Sequence, residues 1–363
     1  MFQHIAQCLV AAADGDQIEI ALGRDDPGPL RRTVRAIRQA VGSRPSDADA
    51  VALQVRELVG PDIPLGDGHD ADVIGPFWTA QAKSQKTPWV GYIADLQHRK
   101  LPELFSPAER RARDRGFRRL LHHADTVLVH AGAVRDDILR EYGSAARIVV
   151  IPFAPCPEPW WFDEDPTILT RYGIKRPFFM CSNQFWKHKN HRVLLAAIAE
   201  ARRTGAPIHV VLTGATSDHR HPAYLAELQA EIADAGIADD VRILGLLPKA
   251  DQLKLMRHAT AVVQPSLFEG SPGGGSVHHG IALGRPTVVA DLPVNREISD
   301  LVTAYFDPHD PHMLLHALKK VASHQSEASD EGLLLMGLRR RRAAGEVIKA
   351  AFLEAGSDRR LRQ

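Results

Sequence analysis

The stretch Gln264-Pro-Ser-Leu-Phe-Glu-Gly-Ser-Pro-Gly-Gly-Gly-Ser276 stands between a short apolar run and the amphipathic segment Val277–Leu283. It predicts a strand that ends near Gln264, a carboxylate at Glu269, and a glycine-rich turn that leads into a helix. Backbone N–H groups and the positive end of the helix dipole favour a bound diphosphate at such a turn, and glycines let the backbone approach the anion closely. On spacing alone, a surface turn with a solvated Glu269 is an equally good interpretation.

The rest of the C-terminal half alternates short apolar runs with amphipathic segments. Runs that are apolar throughout, each followed by a helix, are typical of a parallel sheet covered on both faces. The pattern predicts a doubly wound α/β domain, in which ligands bind at the carboxyl ends of the strands. The predicted strands are Phe178–Ser182, Ile208–Thr213, Val241–Leu244, Ala261–Gln264, Thr287–Ala290 and Ala304–Phe306, and the predicted helices span about 190–203, 222–235, 249–258, 276–283 and 311–323.

The N-terminal half repeats this pattern less clearly. The chain opens in a predicted helix, Phe2–Ala13, where a doubly wound domain normally opens with a strand. Either the first strand is missing from this sequence or the N-terminal sheet is shortened. The predicted strands are Gln17–Leu22, Val73–Ile74, Trp89–Ile93, Thr126–His130 and Ile148–Pro152, and the predicted helices lie at about 31–41 and 107–123.

The length of 363 residues fits two domains of roughly 150–200 residues each. The stretch 154–166 is rich in proline and acidic residues and has neither helical nor strand periodicity, so it predicts an interdomain linker. We therefore predict an N-terminal domain at 1–157 and a C-terminal domain at 158–340. Residues 341–363 are predicted to form a helix and tail that pack back across the domains.

The composition excludes several classes of protein. Hydrophobic residues make up 44% and charged residues 25% of the chain, which argues against global disorder. A net charge of +1 predicts no general attraction to nucleic acid or to a membrane. Three scattered cysteines fit neither a disulfide framework nor a zinc site, and we predict no metal site. No apolar run reaches the roughly 18–20 residues that span a bilayer, so we expect a cytoplasmic protein.

A second basic stretch, Cys181-Ser-Asn-Gln-Phe-Trp-Lys-His-Lys-Asn-His191, follows the first strand of the C-terminal half. Parallel strands end at one edge of a sheet, so Lys187 and Lys189 are predicted to converge with the 270–276 turn. A lysine ammonium is a compact charge that suits a leaving phosphate. Taken alone, such a cluster is more often the solvated start of a helix.

Several stretches together resemble the family 4 (group 1) glycosyltransferases of the GT-B fold: SNQFWKHKNH, VVQPSLFEG, ALGRPTVVADLPVNREI, GYIADLQHRKLPELFSPAERRARDRGF and ADTVLVHAGAVRDDILREYG. The resemblance implies two Rossmann-like doubly wound domains that face a cleft. It also implies retaining, metal-independent transfer of a hexosyl or deoxyhexosyl unit to a glycan or lipid-linked acceptor in polysaccharide biosynthesis. No cofactor is expected, because the nucleoside-diphosphate sugar is a substrate.

The resemblance assigns roles to individual residues. Glu269 would contact the donor sugar as a catalytic residue, and Lys189, with Lys187 beside it, would bind the donor diphosphate. Asp95 and His98 would face the cleft from the N-terminal domain as further catalytic residues. The remaining expected donor contacts are Gly274, Gly275 and Ser276 at the phosphates and the backbone at Leu246 against the nucleotide base.

This sequence departs from the family pattern at the donor site. The family's second motif glutamate, which holds the ribose, falls on His279 when counted back from Gly284 and on Val277 when counted forward from Glu269. Neither position is a carboxylate, and we take His279 as the expected ribose contact. Gln184 stands where many relatives have an arginine, five residues before the diphosphate lysine.

A further departure lies at the cleft, where Ala94-Asp95 replaces the His-Asp pair of many relatives. These departures favour a rival hypothesis, a non-catalytic or truncated GT-B-like protein that binds nucleotide or a partner.

The predicted helix 107–123 is strongly basic, and its start, Ser106-Pro107-Ala108-Glu109, has the pattern of a capping box. Its apolar residues fall on one face, which is expected to dock on the N-terminal core. The opposite face is either simply solvated or attracted to anionic lipid, which would place the protein at the inner face of the membrane. The helix carries Arg110, Arg111, Arg113, Arg115, Arg118 and Arg119, of which Arg111, Arg115 and Arg118 share the outward face.

Overall fold

A computed structural model describes residues 2–12, 19–23, 54–58, 73–81, 87–323 and 328–362 of the chain. Two parallel-sheet α/β domains are present, as predicted. The predicted helix at 31–41 lies outside the described residues.

The N-terminal part contains two parallel sheets. Helix α1 (Phe2–Ala11) is followed by β1 (Glu19–Gly23) and β2 (Gln54–Leu58), which pair with each other. A separate four-stranded sheet has its strands in sequence order: β3 (Ile74–Phe77), β4 (Trp89–Tyr92), β5 (Thr126–Val129) and β6 (Arg147–Val150). The helices of this part are α2 (Gln97–Lys100), α3 (Pro107–His123) and α4 (Gly132–Tyr142). Strand β2 and helix α4 were not predicted from the sequence.

Helix α3 has the predicted bounds and the predicted cap. The Ser106 hydroxyl accepts a hydrogen bond from the Glu109 backbone N–H, and the Glu109 carboxylate accepts one from the Ser106 N–H. Leu120 and Leu121 are buried in the N-terminal core, as expected from their spacing. Arg111, Arg115 and Arg118 of the outward face are exposed.

The C-terminal part is one six-stranded parallel sheet in the order β12-β11-β10-β7-β8-β9. Each predicted strand is present within one residue of its expected bounds; the inner strands of the sheet are almost fully buried, and the two edge strands only partly. The strands are β7 (Phe178–Ser182), β8 (His209–Thr213), β9 (Val241–Gly245), β10 (Val262–Gln264), β11 (Thr287–Ala290) and β12 (Ala304–Phe306). The helices are α5 (Ile168–Arg171), α6 (His191–Arg203), α7 (Tyr224–Asp234), α8 (Lys249–His258), α9 (Gly274–Ala282), α10 (Pro293–Arg296) and α11 (Pro311–Val321).

The last helix, α12 (Asp330–Arg362), begins eleven residues before the predicted position 341. It runs from the C-terminal domain back to the N-terminal one, where it contacts α1, β4 and β5. Two glycines permit this close packing: a Cβ on Gly345 would lie 1.9 Å from the Cys8 carbonyl oxygen, and one on Gly337 would lie 2.7 Å from Pro157. The predicted domain boundary at 157/158 lies between β6 and β7.

Three partly buried histidines meet where α1, the end of β5 and α9 come together. The ring centroids of His4 and His278 are 5.5 Å apart, and those of His4 and His130 are 6.4 Å apart. His278 Nε2 donates to the Ala154 carbonyl at 3.2 Å, a contact between the two domains. Burial lowers the pKa of His4 and of His130 to about 4 and that of His278 to about 3.

We predict that acid destabilises the fold through this cluster. The folded protein keeps these imidazoles neutral, whereas histidines of the unfolded chain take up protons below about pH 6.5. The free energy of unfolding should therefore fall as the pH is lowered from about 6.5 to 4, by at most about 1.4 kcal/mol per histidine per pH unit. Urea unfolding at pH 7, 6 and 5 measures this slope. His278→Gln should reduce the slope, and the exposed His122→Gln should not; equal slopes in both variants would contradict the prediction.

Candidate active site

The candidate site lies at the topological switch point of the C-terminal sheet. Strands β7 and β10 are neighbours there, and the chain continues from them toward opposite edges of the sheet. In such sheets the crevice at the carboxyl ends of these strands binds ligands. Asn190 joins the two loops that leave the strands: it has a left-handed φ of 54°, and its Nδ2 donates to the carbonyl oxygen of Pro265 at 3.0 Å.

Lys189 and Glu269 form an ion pair between these two loops. The distance from Lys189 Nζ to Glu269 Oε1 is 2.6 Å, and Glu269 is only 9% exposed. The amide of Gln264 donates to the same carboxylate oxygen, and Gln264 Oε1 in turn accepts from Asn183 Nδ2 at 2.6 Å. Glu269 is therefore a held, buried carboxylate, which rules out the solvated surface turn.

The glycine-rich turn adjoins this carboxylate directly. Gly273 and Gly274 have φ values of 58° and 60°, a region that side-chain-bearing residues rarely adopt. A Cβ on Gly274 would lie 3.1 Å from Glu269 Oε2. Helix α9 starts at Gly274, so its first N–H groups and the positive end of its dipole border the ion pair. Gly275 is exposed, whereas Ser276 is buried and its hydroxyl has no hydrogen-bond partner among the described residues.

A second group of interacting side chains surrounds His279, further along α9. Lys249 Nζ donates to His279 Nε2 at 2.9 Å, and the His279 ring centroid lies 5.2 Å from that of Trp161. Desolvation, together with Lys249, lowers the pKa of His279 to about 2. Lys249 lies at the surface, and partial desolvation lowers the pKa of its ammonium to about 8. Leu246, the expected base contact, is 77% exposed.

Asp95 and His98 occupy different environments. Asp95 lies at the cleft: a Cβ on Gly270 would lie 2.6 Å from the Asp95 Cβ and 2.4 Å from the Ala94 carbonyl oxygen. His98 is fully buried in the N-terminal domain, where its Nε2 lies 2.9 Å from Asp114 Oδ1. The prediction that His98 faces the cleft is wrong, because the short helix α2 turns its ring toward α3.

Lys187 stands in the same short turn as Lys189, but it forms no ion pair with any described residue. Arg220, which the sequence did not point to, lies between the two domains. Its guanidinium carbon is 4.8 Å from the ring centroid of Phe105 and 5.0 Å from that of Trp186. These three residues come from segments far apart in sequence, so no local pattern could have revealed the contact.

Two further properties concern the described residues alone. No group of three or more His, Cys, Asp or Glu side chains is arranged to hold a metal ion in that part of the chain. Nor does that part contain a helix whose length and apolar character would let it cross a bilayer.

Known structures share this architecture. HepE from Anabaena in complex with UDP matches with a TM-score of 0.59 and 17% identity, over 96% of this chain and 94% of its own. WaaG, a glycosyltransferase involved in lipopolysaccharide biosynthesis, matches with a TM-score of 0.57 and 15% identity, over 92% of this chain and 98% of its own. Sucrose-phosphate synthase from Thermosynechococcus elongatus matches with a TM-score of 0.54 and 19% identity, over 77% of this chain and 68% of its own. No curated protein matches the sequence.

Two family models match the sequence itself. The model for glycosyl transferases group 1 matches residues 176–324, which contain the ion pair and the glycine-rich turn. The model for the glycosyl transferase 4-like domain matches residues 1–154. Because the two matches together account for most of the chain, and the fold agrees, this protein belongs to the group 1 (family 4) glycosyltransferases of the GT-B fold.

Proposed function

We propose that this protein is a retaining glycosyltransferase that moves a hexosyl or deoxyhexosyl unit from a nucleoside-diphosphate sugar to a glycan or lipid-linked acceptor. The observation that carries the proposal is the Lys189–Glu269 pair held against the first turn of α9. This arrangement offers fixed positive charge for a diphosphate and, beside it, a fixed acceptor for sugar hydroxyls. HepE was solved with UDP and with UDP-glucose, which makes UDP the first nucleotide to test.

The chemistry follows from where charge develops. As the bond from the sugar to the diphosphate breaks, negative charge grows on the leaving group and the sugar becomes oxocarbenium-like. Lys189 and the N-terminus of α9 would stabilise that leaving charge, and donors fixed in advance are usually the largest catalytic contribution. Because these groups supply the positive charge, we propose that transfer needs no metal. Glu269 would accept a hydrogen bond from a sugar hydroxyl and so orient the ring.

The contact between Gly270 and Ala94-Asp95 bears on the acceptor side. It brings the N-terminal domain against the donor loop, so an acceptor bound there would reach the sugar in a cleft with little water. Asp95 Oδ1 already accepts a hydrogen bond from the Gln97 N–H at 2.8 Å, which fixes the carboxylate at the cleft. We propose Asp95 as the acceptor-side polar residue.

The second candidate function is nucleotide binding without transfer. It is favoured by the ribose side of the site, where His279 and Lys249 stand in place of the expected carboxylate. The two functions are separated by measuring binding and turnover on the same protein. A melting-temperature screen against UDP, GDP, dTDP and ADP identifies the nucleotide, since a ligand at 100 times its Kd stabilises a protein by about 2.7 kcal/mol. Transfer from the matching nucleotide sugar then supports the enzyme, and binding without transfer supports the alternative.

We also propose that α3 brings the cytoplasmic enzyme to the inner face of a membrane. Arg111, Arg115 and Arg118 are exposed, and the apolar face of the helix is buried in the core. The exposed basic face is thus free to contact anionic headgroups, which would place the cleft near a lipid-linked acceptor.

The first prediction concerns Glu269. Glu269→Gln preserves size and one acceptor oxygen, whereas alanine would leave the Lys189 ammonium and the Gln264 amide without their partner. Turnover should fall by about 100-fold or more, because an amide is a weaker acceptor than a carboxylate and removing one preorganised electrostatic contact typically costs that much. The melting temperature should also fall, because the Lys189 ammonium loses its counter-charge, so turnover is measured well below the melting transition. The control is Glu227→Gln, whose carboxylate pairs with Arg192 on the surface of α7. Unchanged turnover would refute the assignment of Glu269.

The second prediction concerns Lys189. Lys189→Met should weaken binding of the nucleoside diphosphate by about 2–5 kcal/mol, the usual effect of removing one partner of a close charge pair. Binding of the nucleoside should hardly change, because the ammonium addresses only the phosphates. Isothermal titration with both ligands measures the difference, and Lys187→Met, from the same turn, is the comparison with a smaller expected loss. Equal losses for nucleoside and diphosphate would place Lys189 away from the phosphates.

The third prediction concerns the membrane. The protein should sediment with anionic but not with neutral liposomes, and added salt should abolish binding. The triple change Arg111/Arg115/Arg118→Glu should abolish it as well, because each basic residue near an anionic surface contributes about 1 kcal/mol. Arg203→Glu, an exposed change on the C-terminal domain, is the control. Absence of sedimentation at low salt would refute membrane contact through α3.

A further inference from the structure

Helix α4 of the N-terminal domain begins without a cap of its own. Its N-cap residue is Ala131, which has an extended backbone but no side-chain oxygen to accept from the first N–H groups of the helix. Those groups are instead bound by Glu297: Oε2 accepts from the Gly132 N–H and Oε1 from the Ala133 N–H, each at 2.8 Å. A carboxylate at this end of a helix is also favoured by the helix dipole.

Glu297 belongs to the other domain. It follows α10, whose Val294 is 4% exposed and lies in the same buried cluster as Val134 and Ile138 of α4. The C-terminal domain thus contacts α4 through both an apolar side chain and a two-pronged carboxylate. A cavity of about 330 Å³ borders the contact, lined by residues of both domains that include Phe153, Pro272 and Glu297 itself. The domains are therefore not close-packed beside this contact.

The segment 293–297, which contains Glu297, also binds the glycine-rich turn of the donor site. Asn295 is fully buried; its Oδ1 accepts from the Gly273 N–H at 2.7 Å, and its Nδ2 donates to the Ala290 carbonyl at 2.8 Å. Gly273 directly precedes Gly274, which touches the Glu269 carboxylate. Asn295 therefore binds the donor turn, and Glu297, two residues later, binds the N-terminal domain.

We propose that Glu297 is a positioning residue for sugar transfer, acting through Asn295 to couple the donor turn to closure of the N-terminal domain. This inference rests on the function proposed above for the same site. When the domains separate, α4 loses its cap, and when a donor fixes the glycine turn, Asn295 fixes the segment that carries Glu297. Donor binding then favours domain closure, and closure favours donor binding by the same factor, because coupling free energies are reciprocal.

The coupling between the donor turn and domain closure is tested first by a method that does not measure activity. Hydrogen exchange of the amides at 132–135 is compared with and without the nucleoside diphosphate found in the melting screen, UDP first. In the wild-type protein the ligand should slow exchange there by about tenfold or more. Glu297→Gln and Asn295→Ala should abolish this slowing, provided that each variant melts as a folded protein. Slowing that persists in Glu297→Gln overturns the link.

A kinetic test separates positioning from a merely structural cap. Glu297→Gln should lower kcat by about tenfold or more, and it should also raise the Kd of the nucleoside diphosphate by about fivefold or more, because the coupling between donor binding and closure is reciprocal. Ala131→Ser added to Glu297→Gln gives α4 a cap of its own, so it should restore the melting temperature but not kcat. Recovery of kcat in the double variant overturns the proposal. If the wild-type protein shows no transfer, the proposed function fails, and the exchange experiment still decides the link.

Discussion

The ion pair between Lys189 and Glu269 joins the loops that leave the two central strands of the donor domain. Burying two opposite charges costs desolvation energy, and the pair is stable only if further hydrogen bonds hold both groups. On the carboxylate side Gln264, itself held by Asn183, donates to Glu269. The pair therefore keeps two opposite charges fixed beside each other. Under the proposed function, a diphosphate would exchange one anionic partner of Lys189 for another, while sugar hydroxyls would replace the ammonium at Glu269, so neither charge would be left unpaired.

The fold and the donor site differ in how far the sequence predicts them. The inner strands of the C-terminal sheet are almost fully buried, and α3 has a local capping box, so both are determined by nearby residues. Helix α4 was missed because the group that caps it, Glu297, is about 165 residues away and in the other domain. His98 was misplaced because it follows Asp95 closely in sequence, although α2 turns the two side chains in different directions. Contacts made only by tertiary packing leave no local signal.

The departures from the family pattern all change the charge of the site. The expected second glutamate is replaced by a neutral His279 that accepts from Lys249, so the ribose side of the site carries a cation where relatives have an anion. Gln184 removes a cation near the phosphates, while Arg220 lies in the next loop of the same sheet edge, between Trp186 and Phe105. Charge is thus redistributed across the site, so the proposed donor recognition would rest on different atoms even though the backbone scaffold is shared.

Polar contacts at both flanks of the cleft explain how a closed arrangement can still open. Arg220 reaches Gln97 and Phe105 of the N-terminal domain on one flank, and Glu297 caps α4 on the other. Between them, Gly270 packs against the Ala94 backbone, where any side chain would clash. Interfaces between domains of one chain are generally more polar than domain cores and permit relative motion. Water replaces a carboxylate or a guanidinium at modest cost, whereas a large apolar interface would hold the domains shut. Gly270 therefore permits the domains to approach closely at this point, and polar contacts flank it on both sides.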